Sequence, residues 1–171
     1  MKFSPFITRI SDQNKIEVNI IPASLSDFEQ TKEHWQTDWT SDYIASSRTE
    51  KYAMRTNEDE LVALGAYEIL PSSIIVHIIY LESHPESNPT IAGRNRKYRG
   101  IGKAMVSFGI KLSIDCGFGG DVVFEAKTSE LATHYEKDFG AIPLPKFDML
   151  TPPRYLLSGE AAKIIFSQYL K

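Results

Sequence analysis

The sequence holds a single cysteine in 171 residues, Cys116, and that count removes two classes at once. No intrachain disulfide can form, and no cysteine-based zinc site can be built. A chain of this length buries roughly 70% of its unfolded surface and needs neither kind of staple. The lone thiol also suits a reducing cytoplasm, which is the expected compartment. No stretch approaches the roughly 18 apolar residues of a membrane helix. Met1-Lys2-Phe3-Ser4-Pro5 lacks the apolar run of a signal peptide. Basic excess is missing too: 19 Lys and Arg stand against 22 Asp and Glu, a net charge of -3. Proteins that hold nucleic acid by counterion release usually carry the opposite balance, so a nucleic-acid partner is disfavoured. His34, His77, His84 and His134 show no metal-ligand spacing, and no metal is expected; no Gly-x-Ser-x-Gly elbow occurs either. Repeats, low-complexity tracts and Pro/Gly linkers are absent, so residues 1–171 read as one domain.

What is there is an ordinary globular composition, 42% hydrophobic and 24% charged. Alternation of Ile16, Val18 and Ile20 predicts a strand over 15–21. Residues 24–36 read as a helix with Ser26 as its N-cap and Asp27 and Glu29 near the positive end of its dipole. Strands follow over 51–55 and 61–70, joined by the turn Thr56-Asn57-Glu58-Asp59-Glu60. The run Ile74 to Leu81 is apolar at successive positions, as a central strand covered on both sides must be. This first half reads as an antiparallel meander. The second half alternates: a helix over 102–116, a strand over 122–126, a helix over 129–139 ended by Gly140. That order predicts a parallel pair at the sheet centre. A strand near 147–150 and a helix over 159–170 complete the reading.

Charge is unevenly spread. Between Ser87 and Ile114 there is no Asp or Glu, while Arg94, Arg96, Lys97, Arg99, Lys103 and Lys111 all fall inside. Gly100 and Gly102 stand where a helix begins, so backbone N–H groups and the helix dipole can meet a phosphate. The same residues would also suit a solvated basic loop. A Walker A loop needs a glycine at Lys97 and a Ser or Thr at Ala104, and fails twice. A dinucleotide fingerprint needs Gly or Ala where Met105 stands, after a βαβ start that is missing here.

Lys97-Tyr98-Arg99-Gly100-Ile101-Gly102 resembles the Gln/Arg-x-x-Gly-x-Gly/Ala signature of the GNAT superfamily of N-acetyltransferases, with Lys97 in the Gln/Arg place. Tyr135-Glu136-Lys137-Asp138-Phe139-Gly140-Ala141 is similar to that family's Tyr-Glu-Lys-Leu-Gly-Phe helix with one residue added. The order of elements agrees over roughly residues 15–150. The resemblance implies a mixed α+β fold, a mostly antiparallel twisted sheet splayed between its fourth and fifth strands and flanked by helices. It further implies acetyl-CoA as co-substrate in the cleft. Leu81, Glu82 and Ser83 would then receive the pantetheine arm through their backbone, as an added strand would. Backbone groups of Arg99, Gly100, Ile101, Gly102 and Lys103 would cradle the pyrophosphate. Side chains of Arg99 and Lys103 would add charge, and Arg94 or Arg96 would reach the 3′-phosphate. Lys97 would join the cofactor-binding residues as the first of the motif, and Thr128 would contact the cofactor from the second half. The 85–95 loop is longer than such proteins usually carry and could fold over cofactor or substrate.

The implied activity is direct transfer of an acetyl group to an amine of a small molecule or peptide. A CoA-binding module without turnover and a tRNA-acylating toxin-type enzyme are the alternatives. Tyr135 matches the family's general acid, and could instead be a tyrosine packed under the sheet. Glu82 and His77 are the candidate bases. They point to opposite faces of the strand unless a β-bulge intervenes, and His77 also reads as a satisfied core histidine. Trp35, Trp39 and Tyr43, four apart, suit an acceptor pocket, core packing or a dimer contact; homodimers are common among similar proteins. Glu58-Asp59-Glu60 hints at a cationic acceptor such as a polyamine.

Overall fold

In a computed structural model of the chain, residues 1–146 and 148–171 are described, apart from the Arg94 side chain. The strands are β1 (Phe6–Arg9), β2 (Lys15–Pro22), β3 (Glu50–Thr56), β4 (Leu61–Leu70), β5 (Ile75–Ser83), β6 (Tyr98–Arg99), β7 (Val122–Glu125), β8 (Ile142–Pro143) and β9 (Arg154–Leu157). The helices are α1 (Leu25–Glu29), α2 (Asp42–Ala45), α3 (Pro89–Ala92), α4 (Ile101–Asp115), α5 (Ser129–Lys137) and α6 (Gly159–Ser167). All nine strands join one sheet in the order β6-β1-β2-β3-β4-β5-β7-β9-β8. Every described pairing is antiparallel except β5 with β7, so the expected parallel pair is present at the centre.

Two apolar clusters sandwich the sheet. Met105, Phe108 and Ile110 of α4 and Ala162 and Ile165 of α6 pack on one face against Met54, Val76 and Ile78. Trp35, Trp39 and Ile44, from the segment between β2 and β3, pack on the other face against Ala53, Leu64 and Ala66. Adjacent Ala53 and Met54 enter different clusters, as the pleat requires. Gly109 lets α4 come close to β5: a Cβ there would stand 2.9 Å from Ile78 Cδ1.

The parallel pairing is short. It comprises Val76↔Val122, His77↔Val123 and Ile78↔Phe124, and beyond Ile78 the two strands separate. β5 also carries a bulge. Tyr67 faces Ile78 and Ala66 faces Tyr80, so Ile79 is the extra residue.

Three expectations are corrected. The helix expected over 24–36 ends at Glu29, and its cap is Ser24, not Ser26: Ser24 and Asp27 form a reciprocal capping box. The strand expected near 147–150 is not there: Asp148 to Leu150 form a turn, Phe147 lies outside the described residues, and the strand is β9. The short strands β1, β6 and β8 stand where no strand was expected. No helix among the described residues is long and apolar enough to cross a membrane.

Candidate active site

The glycine loop leads from β6 into α4. Gly100 caps the helix at φ 84°, in the left-handed region, and no side chain caps the helix. The N–H groups of Ile101, Gly102 and Lys103 belong to the first turn, which has no intrahelical acceptors, and there is no acid in it. Ala104 N–H returns to Gly100 O. A Cβ added at Gly100 or Gly102 would meet no protein atom within 4 Å. For Gly100 the positive φ accounts for glycine. For Gly102 neither conformation nor packing does.

Not every expected cation faces this start. Lys97 Nζ stands 2.8 Å from Glu60 Oε1, and that pairing raises its pKa, so its ammonium is engaged away from the glycines. Arg99 Nη2 donates to Gln13 Oε1 at 2.6 Å and is exposed. Lys103 has no ion-pair partner among the described residues. Arg96 lines a separate cavity of about 520 Å³ with Arg9, Lys97 and Glu86. Thr128 caps α5, its hydroxyl accepting from Leu131 N–H at 3.2 Å.

The splayed edge of β5 supplies main-chain groups. His84 N–H donates to Val62 O on the β4 side. By strand alternation Glu82 also turns its main chain to β4, which leaves those of Leu81 and Ser83 facing the gap. Side chains sort the other way. Val76, Ile78 and Leu81 meet the α4-side cluster, whereas Tyr80 meets Trp39 and its cluster. The bulge at Ile79 thus puts His77 and Glu82 on one face, the face opposite α4.

Both of those residues are already engaged by partners. Glu82 Oε2 accepts Gln36 N–H at 2.9 Å and Thr37 N–H at 3.4 Å, and Oε1 accepts the Trp39 indole N–H at 3.0 Å. The Gln36 side chain in turn donates to Thr90 Oγ1 at 2.6 Å and accepts from Asn88 at 3.2 Å. The long 85–95 loop is therefore pinned to the α1–α2 connection. His77 Nε2 lies 2.9 and 3.0 Å from the two Glu125 oxygens, and Arg154 Nε donates to Glu125 Oε1 at 3.1 Å. Burial pushes the Glu125 carboxyl up, but His77 and Arg154 together outweigh it and hold it below the usual range.

Tyr135 projects from α5 onto the α4-side face. Its ring meets Phe124 at 4.6 Å, Phe139 at 5.8 Å and Tyr155 at 5.9 Å. Burial raises its phenol, and its hydroxyl has no hydrogen-bond partner among the described residues, so it keeps a proton to give. Trp35 and Trp39 are core residues, whereas Tyr43 is 76% exposed and packs edge-on to Tyr80. Tyr80 is pushed up to about 12, by burial first and then by Tyr43.

Between β5 and the β7–β9 pair, on the Tyr80 face, lies a cleft of about 530 Å³ lined by Tyr43, Tyr80, Glu125, Lys127, Asp148 and Arg154, among others. Glu125, Lys127 and Arg154 were missed from sequence. The signal available was a carboxylate and an ammonium closing an otherwise apolar strand, Val122-Val123-Phe124-Glu125-Ala126-Lys127.

No protein-family model and no curated protein matches the chain. Solved structures do match it. An acetyltransferase of the GNAT family from Staphylococcus aureus Mu50 is 13% identical with a TM-score of 0.54, over 81% of this chain and 97% of its own. Spermidine N-acetyltransferase SpeG from Vibrio cholerae, in a mutant form, is 12% identical with a TM-score of 0.55, over 90% and 96%. The fold is the GNAT fold. The PaiA N-acetyltransferase of Thermoplasma acidophilum, solved with coenzyme A, shares that fold at 12% identity and a TM-score of 0.55, over 83% and 99%. In the GNAT fold of this chain, the splay after Ile78 separates an α4-side face carrying Tyr135 from a Tyr80-side cleft.

Proposed function

We propose that the chain is an acetyl-CoA-dependent N-acetyltransferase, one cytoplasmic domain over residues 1–171, acting on an amine. The observation that carries this reading is Gly102: an α-helical glycine in open space, on an uncapped, acid-free helix start beside a splayed sheet. First-turn N–H groups of α4 hold the pyrophosphate, with Arg99 and Lys103 adding charge once Arg99 leaves Gln13. Main-chain groups of Leu81 and Ser83 receive the pantetheine amides. Acetyl-CoA, when bound, supplies the acetyl group: the amine nitrogen forms the new C–N bond as the C–S bond breaks, the amine losing one proton and the departing sulfur gaining one. Tyr135 is the donor to that sulfur, its half-buried phenol being protonated at neutral pH. Glu82 holds residues 36–39 in place and takes the amine's proton through water at Oε1, which accepts one N–H where Oε2 accepts two and so keeps an unused lone pair. His77 orients Glu125 at the cleft wall.

One observation favours a CoA-binding module without turnover: both candidate bases are already occupied by partners. Thiol release by the wild type over a panel of amines separates the two readings, none with any amine supporting the module, and Tyr135→Phe tests the acid. The enzyme reading expects thiol release from acetyl-CoA to fall at least about a hundredfold while CoA affinity stays within about twofold of wild type. Equal thiol release by the two proteins removes Tyr135 from the chemistry.

A further inference from the structure

The cleft on the Tyr80 face carries a charge pattern that selects among amines. Glu125 and Asp148 bring two negative charges to its lining, and Lys127, Lys146 and Arg154 bring three positive ones. The negative groups are the more committed. Both Glu125 oxygens are within hydrogen-bond distance of His77, and one also accepts from Arg154. Asp148 Oδ1 accepts the Leu150 N–H at 2.9 Å. The positive groups are freer. Lys127 Nζ stands 5.2 Å over the Tyr80 ring, and neither it nor Lys146 pairs with a carboxylate among the described residues. Arg154 spends Nε on Glu125, and its two terminal nitrogens have no partner among the described residues. A polycation entering here meets two ammonium groups and a guanidinium. The acidic turn that hinted at such an acceptor is used elsewhere: Asp59 pairs with Arg55, and Glu60 with Lys97 and Tyr98.

We propose that the acceptor is an amine carrying its own carboxylate, an amino-acid-type compound with an apolar side chain. Its nitrogen lies toward Glu125, its carboxylate is received by Arg154 and the two lysines, and its apolar part rests on Ile79 and Tyr80. Glu125 and Arg154 are adjacent, 3.1 Å apart, which suits an amine and a carboxylate borne on one carbon. The inference rests on the acetyl-transfer reading for what happens to the amine, whereas the recognition itself stands on the cleft's charges.

The test is calorimetric titration of L-phenylalanine and L-leucine into the protein, with and without CoA, against phenethylamine, isoamylamine and spermidine. The amino acids should bind at least about tenfold more tightly than the amines without a carboxylate. The double variant Lys127→Ala, Lys146→Ala should lose most of that difference; both lysines are exposed, so the fold should tolerate it. Tighter binding of spermidine or the decarboxylated amines overturns the inference, as does no binding of any probe. Thiol release from acetyl-CoA is read on the same samples. Amino-acid binding without thiol release contradicts the acetyl-transfer reading and leaves the recognition standing. Release with phenethylamine alone does the reverse.

Discussion

Gly102 is the residue whose identity the protein's own packing does not require. It is helical, its surroundings are open, and alanine there would relieve the unfolded chain of conformational freedom. Gly102→Ala should therefore raise stability by about 0.4–1 kcal/mol in urea unfolding. The added methyl occupies the space a pyrophosphate needs, so CoA affinity should fall by about tenfold or more. Opposite signs in the two measurements mark a binding glycine. A loss of stability with unchanged affinity would mark a structural one. Glu82 makes the contrasting case, because three N–H donors give it a structural task whatever its part in proton transfer.

At the scale of elements, α1 shows how little helix the protein needs to place its aromatic face. Its five residues are held by the Ser24–Asp27 capping box, and Asp27 reaches across to Arg55 of β3. Burial pushes the Asp27 carboxyl up, yet the Ser24 N–H and Arg55 outweigh this and hold it below the ordinary aspartate value. A depressed folded value stabilises the fold above the unfolded pKa of about 3.9, and that contribution is lost as pH falls through the folded value. Asp27→Asn should cost about 3 kcal/mol at pH 7 and show a smaller further loss of melting temperature below about pH 4 than wild type. Strong periodicity made β2, β4, β5, α4 and α5 legible in the sequence. Two- and four-residue strands such as β6 and β1 carry too few alternations to register, and β9 begins directly behind Pro152-Pro153. The bulge at Ile79 hides inside a continuous apolar run, where no change of pattern reveals an extra residue. So the glycine loop, Tyr135, Glu82 and His77 could be named from sequence, but not that His77 and Glu82 share one face while Tyr135 lies on the other. The Glu125–His77–Arg154 cluster depends on a parallel register and on β9, and neither leaves a local signature.

On the scale of the whole molecule, the two ends of the chain are tied to each other. Phe3 bridges Leu170, Lys2 and Lys171 exchange backbone hydrogen bonds, and Tyr169 is 3% exposed against Phe3 and Phe6. Tyr169→Ala should cost about 3–5 kcal/mol in urea unfolding, although Tyr169 is no part of the cleft lining. Net charge of -3 likewise has meaning only when resolved in space: an acid-free helix start on one face, and on the other a cleft whose lysines pair with no carboxylate among the described residues. In the function proposed above, both halves of that arrangement serve a single reaction, the first by holding the phosphates of the acetyl donor and the second by receiving the acceptor. The most direct measurement is free thiol released from acetyl-CoA by the wild-type protein, followed over a panel of amines that includes amino acids. Release that depends on both protein and amine, with the acetyl group recovered on the amine nitrogen, is the predicted result. Tight CoA binding with no thiol released by any amine would contradict it.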